Sequence, residues 1–200
     1  MSKLVLKRAL NFFILAATLT IAASIITYII NPDVKVVMEG INNRSSDQIK
    51  ESTGLDKVWA YVVNNGFMVP MQMFILAFIP IQFLYFINVI STTILTGVTF
   101  GLVLQLDFRK GFELIIASTP HVIFEVFAYC ILAAVLFKLN QVVRVKLKSL
   151  YKKNNFQEPL SLIKKFLEVI RTYAVFVLPI IVVAGFLETY IPDIIINLFQ

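Results

Sequence analysis

Charge is scarce in this chain. Asp, Glu, Lys and Arg make up 15% of the residues against 58% hydrophobic, and mean hydropathy is +0.83. A soluble domain carries about 25% charged and about 45–50% apolar residues, so the composition excludes an ordinary soluble globular domain. Cysteine is scarcer still. The single Cys130 lies in an apolar run, which rules out an internal disulfide and suggests a small packed hydrophobe. The only histidine is His121, so no Cys/His zinc array can form. The phosphate loop G-x-x-x-x-G-K-[ST] is missing, and any ATP coupling must come from another chain. No H-E-x-x-H is present either. A serine hydrolase triad would have to use His121, and nearby Ser118 lacks the strand-turn-helix context of a nucleophile elbow. The net charge is +6, but no soluble domain exists to present a basic face, so nucleic acid is not an expected partner.

What the chain has is long uncharged runs. Residues 9–30 can span about 30 Å of hydrocarbon at 1.5 Å per residue. The run continues past the small residues at 22–24, so an uncleaved first helix is expected rather than a signal peptide. Residues 66–106 carry no charge, which is too long for one span and suits two, near 66–86 and 89–106, with Asn88 and Ser91 near the turn. A fourth span is predicted near 118–138 and a fifth near 172–191. The expected fold is a single all-α membrane domain, 1–200, of about five spans kinked at proline. Ser45-Ser46-Asp47 could open a short helix in the first loop, closed by Gly54, and Trp59 and Tyr61 suit an interfacial belt.

Charge distribution sets the expected orientation. Lys3, Lys7 and Arg8 precede the first span, and residues 138–171 hold nine Lys/Arg against Glu158 and Glu168. Residues 31–65 sum to −1, from Asp33, Glu39, Asp47, Glu51 and Asp56 against Lys35, Arg44, Lys50 and Lys57. The positive-inside rule then puts the N-terminus and the basic 138–171 segment in the cytoplasm. It puts the 31–65 loop, residues 107–117 and the C-terminus outside. "SLIKKFLEVIR" reads as an interfacial helix on anionic lipid or a cytoplasmic partner surface.

Charged groups in hydrocarbon are costly, about 2.5–3.5 kcal/mol for a central Asp, Lys or Arg. His121 and Glu125 are four apart, on one helix face, with Pro120 reading as a helix start. Glu188 lies late in the fifth span. With Asn64 and Asn65, these groups fall at one depth on the outer side and predict an outward polar cluster. It can be read as structural glue, as a proton or metal site with His121, Glu125 and Glu188 as ligands, or as a peptide or lipid contact. Thr93, Gly97 and Gly101, also four apart, suit close helix packing within the chain.

These residues resemble the stage II sporulation protein M family over about residues 60–192. "PHVIFEVFAYCILAAVLFKL" is similar to the family's P-H-G-x-x-E segment, with Val122 in place of glycine. "TGVTFG" resembles its N-G-x-x-x-G motif with Thr96 for asparagine. "NNGFMVPMQMFILAFIP" resembles its Asn-started span, and "GFLETYIP" its I-E-x-F-x-x-P motif with the proline one residue early. The resemblance implies a membrane scaffold for peptidoglycan-degrading partners, or a relative found beside ABC transporters and in circular-bacteriocin clusters.

The expected function is a non-enzymatic scaffold or accessory subunit of a bacterial envelope, export or bacteriocin-immunity complex. The alternatives are a proton-coupled transporter subunit and an intramembrane metal-dependent enzyme. The expected partners are the lipid bilayer and another membrane or envelope protein, with an ABC transporter ATPase or a peptide as candidates. No cofactor is expected, a metal being the one candidate.

Overall fold

A computed structural model describes residues 1–37, 52–152 and 161–199. The short helix expected around Ser45–Asp47 and the stretch 153–160 of the basic segment lie outside the described residues. Five helices among the described residues are long and apolar enough to cross a membrane. We label them α1 (Lys3–Ile30), α2 (Gly54–Phe78), α3 (Leu84–Leu106), α4 (Phe108–Lys152) and α5, which runs from Leu162 through Phe199. The chain is an all-α integral membrane protein.

Local chemistry sets where each helix begins and ends, and several bounds differ from the expected ones. The Ser2 hydroxyl accepts from Val5 N–H (3.3 Å) and starts α1 ahead of its basic residues. Asn31, in the left-handed region at φ 51°, ends α1 just before Pro32. The second span lies at Gly54–Phe78 rather than 66–86. Pro80 forces the preceding Ile79 out of the helical region, to φ −72°, ψ 130°, and that terminates α2. The turn therefore falls at 79–83, with Phe83 at φ 66°, and Asn88 and Ser91 lie inside α3.

Helix α4 begins at Phe108, not near 118, because Asp107 caps it. The Asp107 carboxylate accepts from Lys110 N–H (3.1 Å) and its carbonyl from Gly111 N–H (2.7 Å). Pro120 thus sits inside a helix of 45 residues, about 68 Å at 1.5 Å per residue, far longer than a bilayer core. A Cβ at Gly111 would stand 2.4 Å from the Val103 carbonyl, so only glycine permits the tight α3–α4 hairpin. The fifth helix starts at Leu162, ten residues before the expected 172, with Ser161 capping through Lys164 N–H (3.3 Å).

Packing sorts the helices into two ends. Helix α1 lies along α3: Thr20 Oγ1 donates to the Thr93 carbonyl (3.2 Å), and a Cβ on Gly97 or Gly101 would come within 2.3 Å of Thr20 O or 2.6 Å of Ser24 O. The Thr93–Gly97–Gly101 stripe is therefore consumed inside the chain. Arg8 reaches the Ala134 carbonyl (3.5 Å) and sits 3.9 Å over the Phe137 ring, placing the start of α1 beside the second half of α4. The start of α5 and the α2–α3 turn join them there. This is the basic end, with Lys3, Lys7, Lys138, Arg144, Lys146, Lys148, Lys164, Lys165 and Arg171. Gln105 donates to the Thr27 and Tyr28 carbonyls (2.7 and 3.2 Å) at the opposite end, where α2 and α4 begin. Helices α2 and α4 therefore run parallel, with α5 antiparallel to both. Cys130 is fully buried in the shared core, packing as a small hydrophobe.

Candidate functional site

The polar cluster is built from two stripes, each repeating every four residues. On α4 these are His121, Glu125 and Tyr129; on α2 they are Lys57, Tyr61 and Asn65. A four-residue step keeps side chains on one face, and the parallel helices bring the stripes into one register, offset by 64 residues. At the outermost rung, Lys57 Nζ and His121 Nδ1 both meet Glu188 of α5, at 3.7 and 2.8 Å. The His121 contact is an ion pair whenever the ring is protonated. One turn deeper, the Tyr61 hydroxyl donates to Glu125 Oε2. One turn deeper again, the Tyr129 hydroxyl donates to the Asn65 carbonyl (3.0 Å).

The third rung has a backbone cause. Residues Val62–Met68 form a π-helical segment, and Val69 N–H bonds back to Asn64 O, five residues earlier. Pro70 follows and has no N–H. The carbonyls it would otherwise serve are Gly66 O, four residues back, and Asn65 O, five back. Tyrosines fill both places: Tyr129 donates to Asn65 O and Tyr173 of α5 donates to Gly66 O (2.5 Å). Freed carbonyls in a low-dielectric setting must find donors. Helix α5 repeats the device, with π-helical Tyr173–Val177, Leu178 N–H bonding to Tyr173 O, and Pro179 next. The two bulges abut, since a Cβ on Gly66 would lie 3.2 Å from Leu178.

His121, Glu125, Glu188 and Asn65 thus share one region. Among the described residues, Asn64 is joined to it through its side-chain donation to Asn65 Oδ1 (2.6 Å). The metal expectation fares differently. His121 meets Glu188, but Glu125 is turned to Tyr61, and no group of three His, Cys, Asp or Glu among the described residues could hold a metal ion.

The sequence reading missed Lys57, Tyr129 and Tyr173, and it took Tyr61 for an interfacial residue. The i, i+4, i+8 spacing on both helices was the available signal. It also missed Asn140 at the basic end, where the fully buried amide donates to Ala77 O (3.0 Å), Ile79 O (2.8 Å) and, more weakly, Ile81 O (3.4 Å). They lie where Pro80 ends α2; Ile79 O also accepts from Ile81 N–H (2.8 Å) and Ile81 O from Leu84 N–H (3.4 Å).

A bundle of five apolar helices tied by polar pairs at both ends is a multi-pass membrane protein. Stage II sporulation protein M is the family description that matches residues 8–192, and the chain belongs to that family. The match reaches beyond residues 60–192 to take in α1. No curated protein and no solved structure matches it.

Proposed function

We propose that the protein is a non-enzymatic accessory or scaffold subunit of a bacterial envelope, export or bacteriocin-immunity complex, oriented with its basic end in the cytoplasm. One observation carries the reading: among the described residues, the groups of the two polar stripes are engaged with one another and with α5. Tyr61 is engaged with Glu125, Tyr129 with Asn65 O, Tyr173 with Gly66 O, and Lys57 and His121 with Glu188. Each pair joins two helices, as polar glue does in membranes. A rigid bundle of this kind presents surfaces to neighbours, and the partner is a membrane or envelope protein. An ABC transporter ATPase is a candidate, because the chain lacks a nucleotide-binding loop of its own. The reading assigns no cofactor.

The test is association at native expression. Tagged protein, extracted in mild detergent from cells of its source, is expected to elute with membrane or envelope proteins encoded beside its gene. Elution alone, with those proteins left in the flow-through, would sink the scaffold reading.

A second reading has its own support. Glu125 and Tyr61 are in direct contact inside the bundle and His121 faces Glu188, so exchangeable protons stand at adjacent rungs. That arrangement would suit a proton-coupled transporter subunit, and variants that cannot titrate separate the two readings.

A further inference from the structure

At the basic end, a cavity of about 540 Å³ opens between the start of α1, the middle of α4 and the start of α5. Along α5 the rim carries Lys164 and then Arg171, and the helix continues inward to the apolar Val175 and Phe176. Ser2 and Val5 of α1 and Val135 of α4 line the cavity opposite. Lys164 and Arg171 are seven residues apart, so they stand on one face about 10 Å from each other along α5.

Charge is not balanced at this rim. Glu168 lines the same cavity, but its carboxylate is already held by Lys165 at 2.5 Å and Lys138 at 3.8 Å. Lys164 and Arg171 form no ion pair among the described residues, and both are exposed. The site therefore joins two unspent cations to an apolar trough that runs inward from them. An anion with a hydrocarbon tail fits both halves. A free anion would leave the trough empty, and a zwitterionic lipid would bring its own cation against the rim.

We propose that this cavity is a binding site for one anionic phospholipid. The phosphate meets Lys164 and Arg171, and an acyl chain lies against Val135, Val175 and Phe176. The inference is independent of what complex the protein serves, because it concerns a lipid of the membrane that holds it. Such a lipid would fill the gap between α1 and α5, which the polar ladder of α2, α4 and α5 does not bridge.

The full chain, delipidated and returned to nanodiscs of phosphatidylcholine with or without phosphatidylglycerol, provides the test, with retained lipid read by native mass spectrometry. Wild type is expected to keep one phosphatidylglycerol in preference to phosphatidylcholine. Lys164→Gln/Arg171→Gln should weaken that retention about thirty-fold, which corresponds to ~2 kcal/mol for two basic groups at a lipid surface. Lys146→Gln/Lys148→Gln removes the same charge from the α4 extension and should leave retention unchanged. Val175→Trp fills the trough without touching the rim and should also lower retention. Equal retention of the two lipids by wild type would overturn the proposal. So would equal losses in the two charge-removal variants, or full retention in Val175→Trp, either of which would reduce the effect to general surface attraction. Helicity measured in phosphatidylcholine alone controls for folding of each variant.

Discussion

Asn140→Leu is the most informative single substitution, because the structure gives both its cost and its control. The amide donates two good hydrogen bonds at the Pro80 break, to Ala77 O (3.0 Å) and to Ile79 O (2.8 Å), the latter also accepting from Ile81 N–H. Leucine has the same number of side-chain heavy atoms and is somewhat bulkier, so the change deletes donors without opening a cavity. An orphaned buried acceptor costs about 1–3 kcal/mol in a soluble protein. In a membrane protein the average interhelical bond is nearer 0.6 kcal/mol, with about 1.7 as the upper end, since the unfolded reference state also finds partners. Two bonds therefore predict a loss of about 1–3 kcal/mol. Asn88 is the control: its amide nitrogen is buried with no partner, so Asn88→Leu removes an unsatisfied donor and should be neutral or stabilising. The assay is unfolding in mixed micelles of rising sodium dodecyl sulfate content, followed by far-ultraviolet circular dichroism. If Asn140→Leu unfolds no more readily than Asn88→Leu, the claim that Asn140 secures the α2 terminus is refuted.

Further outcomes follow from other contacts. Gly97→Ala puts a Cβ about 2.3 Å from the Thr20 carbonyl, forcing α1 off α3; a loss of about 1–3 kcal/mol is expected in the same unfolding assay, and an unchanged midpoint would contradict the packing. Tyr173→Phe should destabilise by about 0.6–1.7 kcal/mol, and by less in a Pro70→Ala background, where an N–H is restored to serve Gly66 O; an equal loss in both backgrounds would disprove the coupling. In a Cys130→Ala background, a cysteine at exposed Lys35 should react with an impermeant thiol reagent from outside the cell and one at exposed Lys148 only after permeabilisation; the reverse pattern would invert the proposed orientation.

The sequence carried the architecture because a bilayer leaves few options. An apolar run such as 9–30 can only be a span, and the lone charged groups within such runs must face other helices. The Thr93–Gly97–Gly101 spacing likewise announced close packing, and the structure supplies its partner, α1. The helix bounds were less legible because each turned on one local bond. Asp107 capping α4 outweighed the helix-start signal of Pro120, and Lys57 could enter α2 because Glu188 stands 3.7 Å away. Pro70 is one of the prolines expected only to kink a span, yet its missing N–H is what draws Tyr129 and Tyr173 into the site. That dependence is three-dimensional: no pattern within residues 62–70 says which tyrosines will answer. The register between Lys57-Tyr61-Asn65 and His121-Glu125-Tyr129 is visible only once α2 and α4 are known to run parallel.

The central claim is that the ladder of polar pairs joins helices and does not carry protons. The direct measurement is complementation of a deletion strain by a Glu125→Gln/His121→Asn double variant, with protein level and helicity checked. Glutamine can still accept from the Tyr61 hydroxyl and asparagine can still bond locally, but neither side chain titrates. Restoration of the phenotype to wild-type level is the predicted result. A folded, normally abundant double variant that fails to restore it would contradict the account and favour proton coupling.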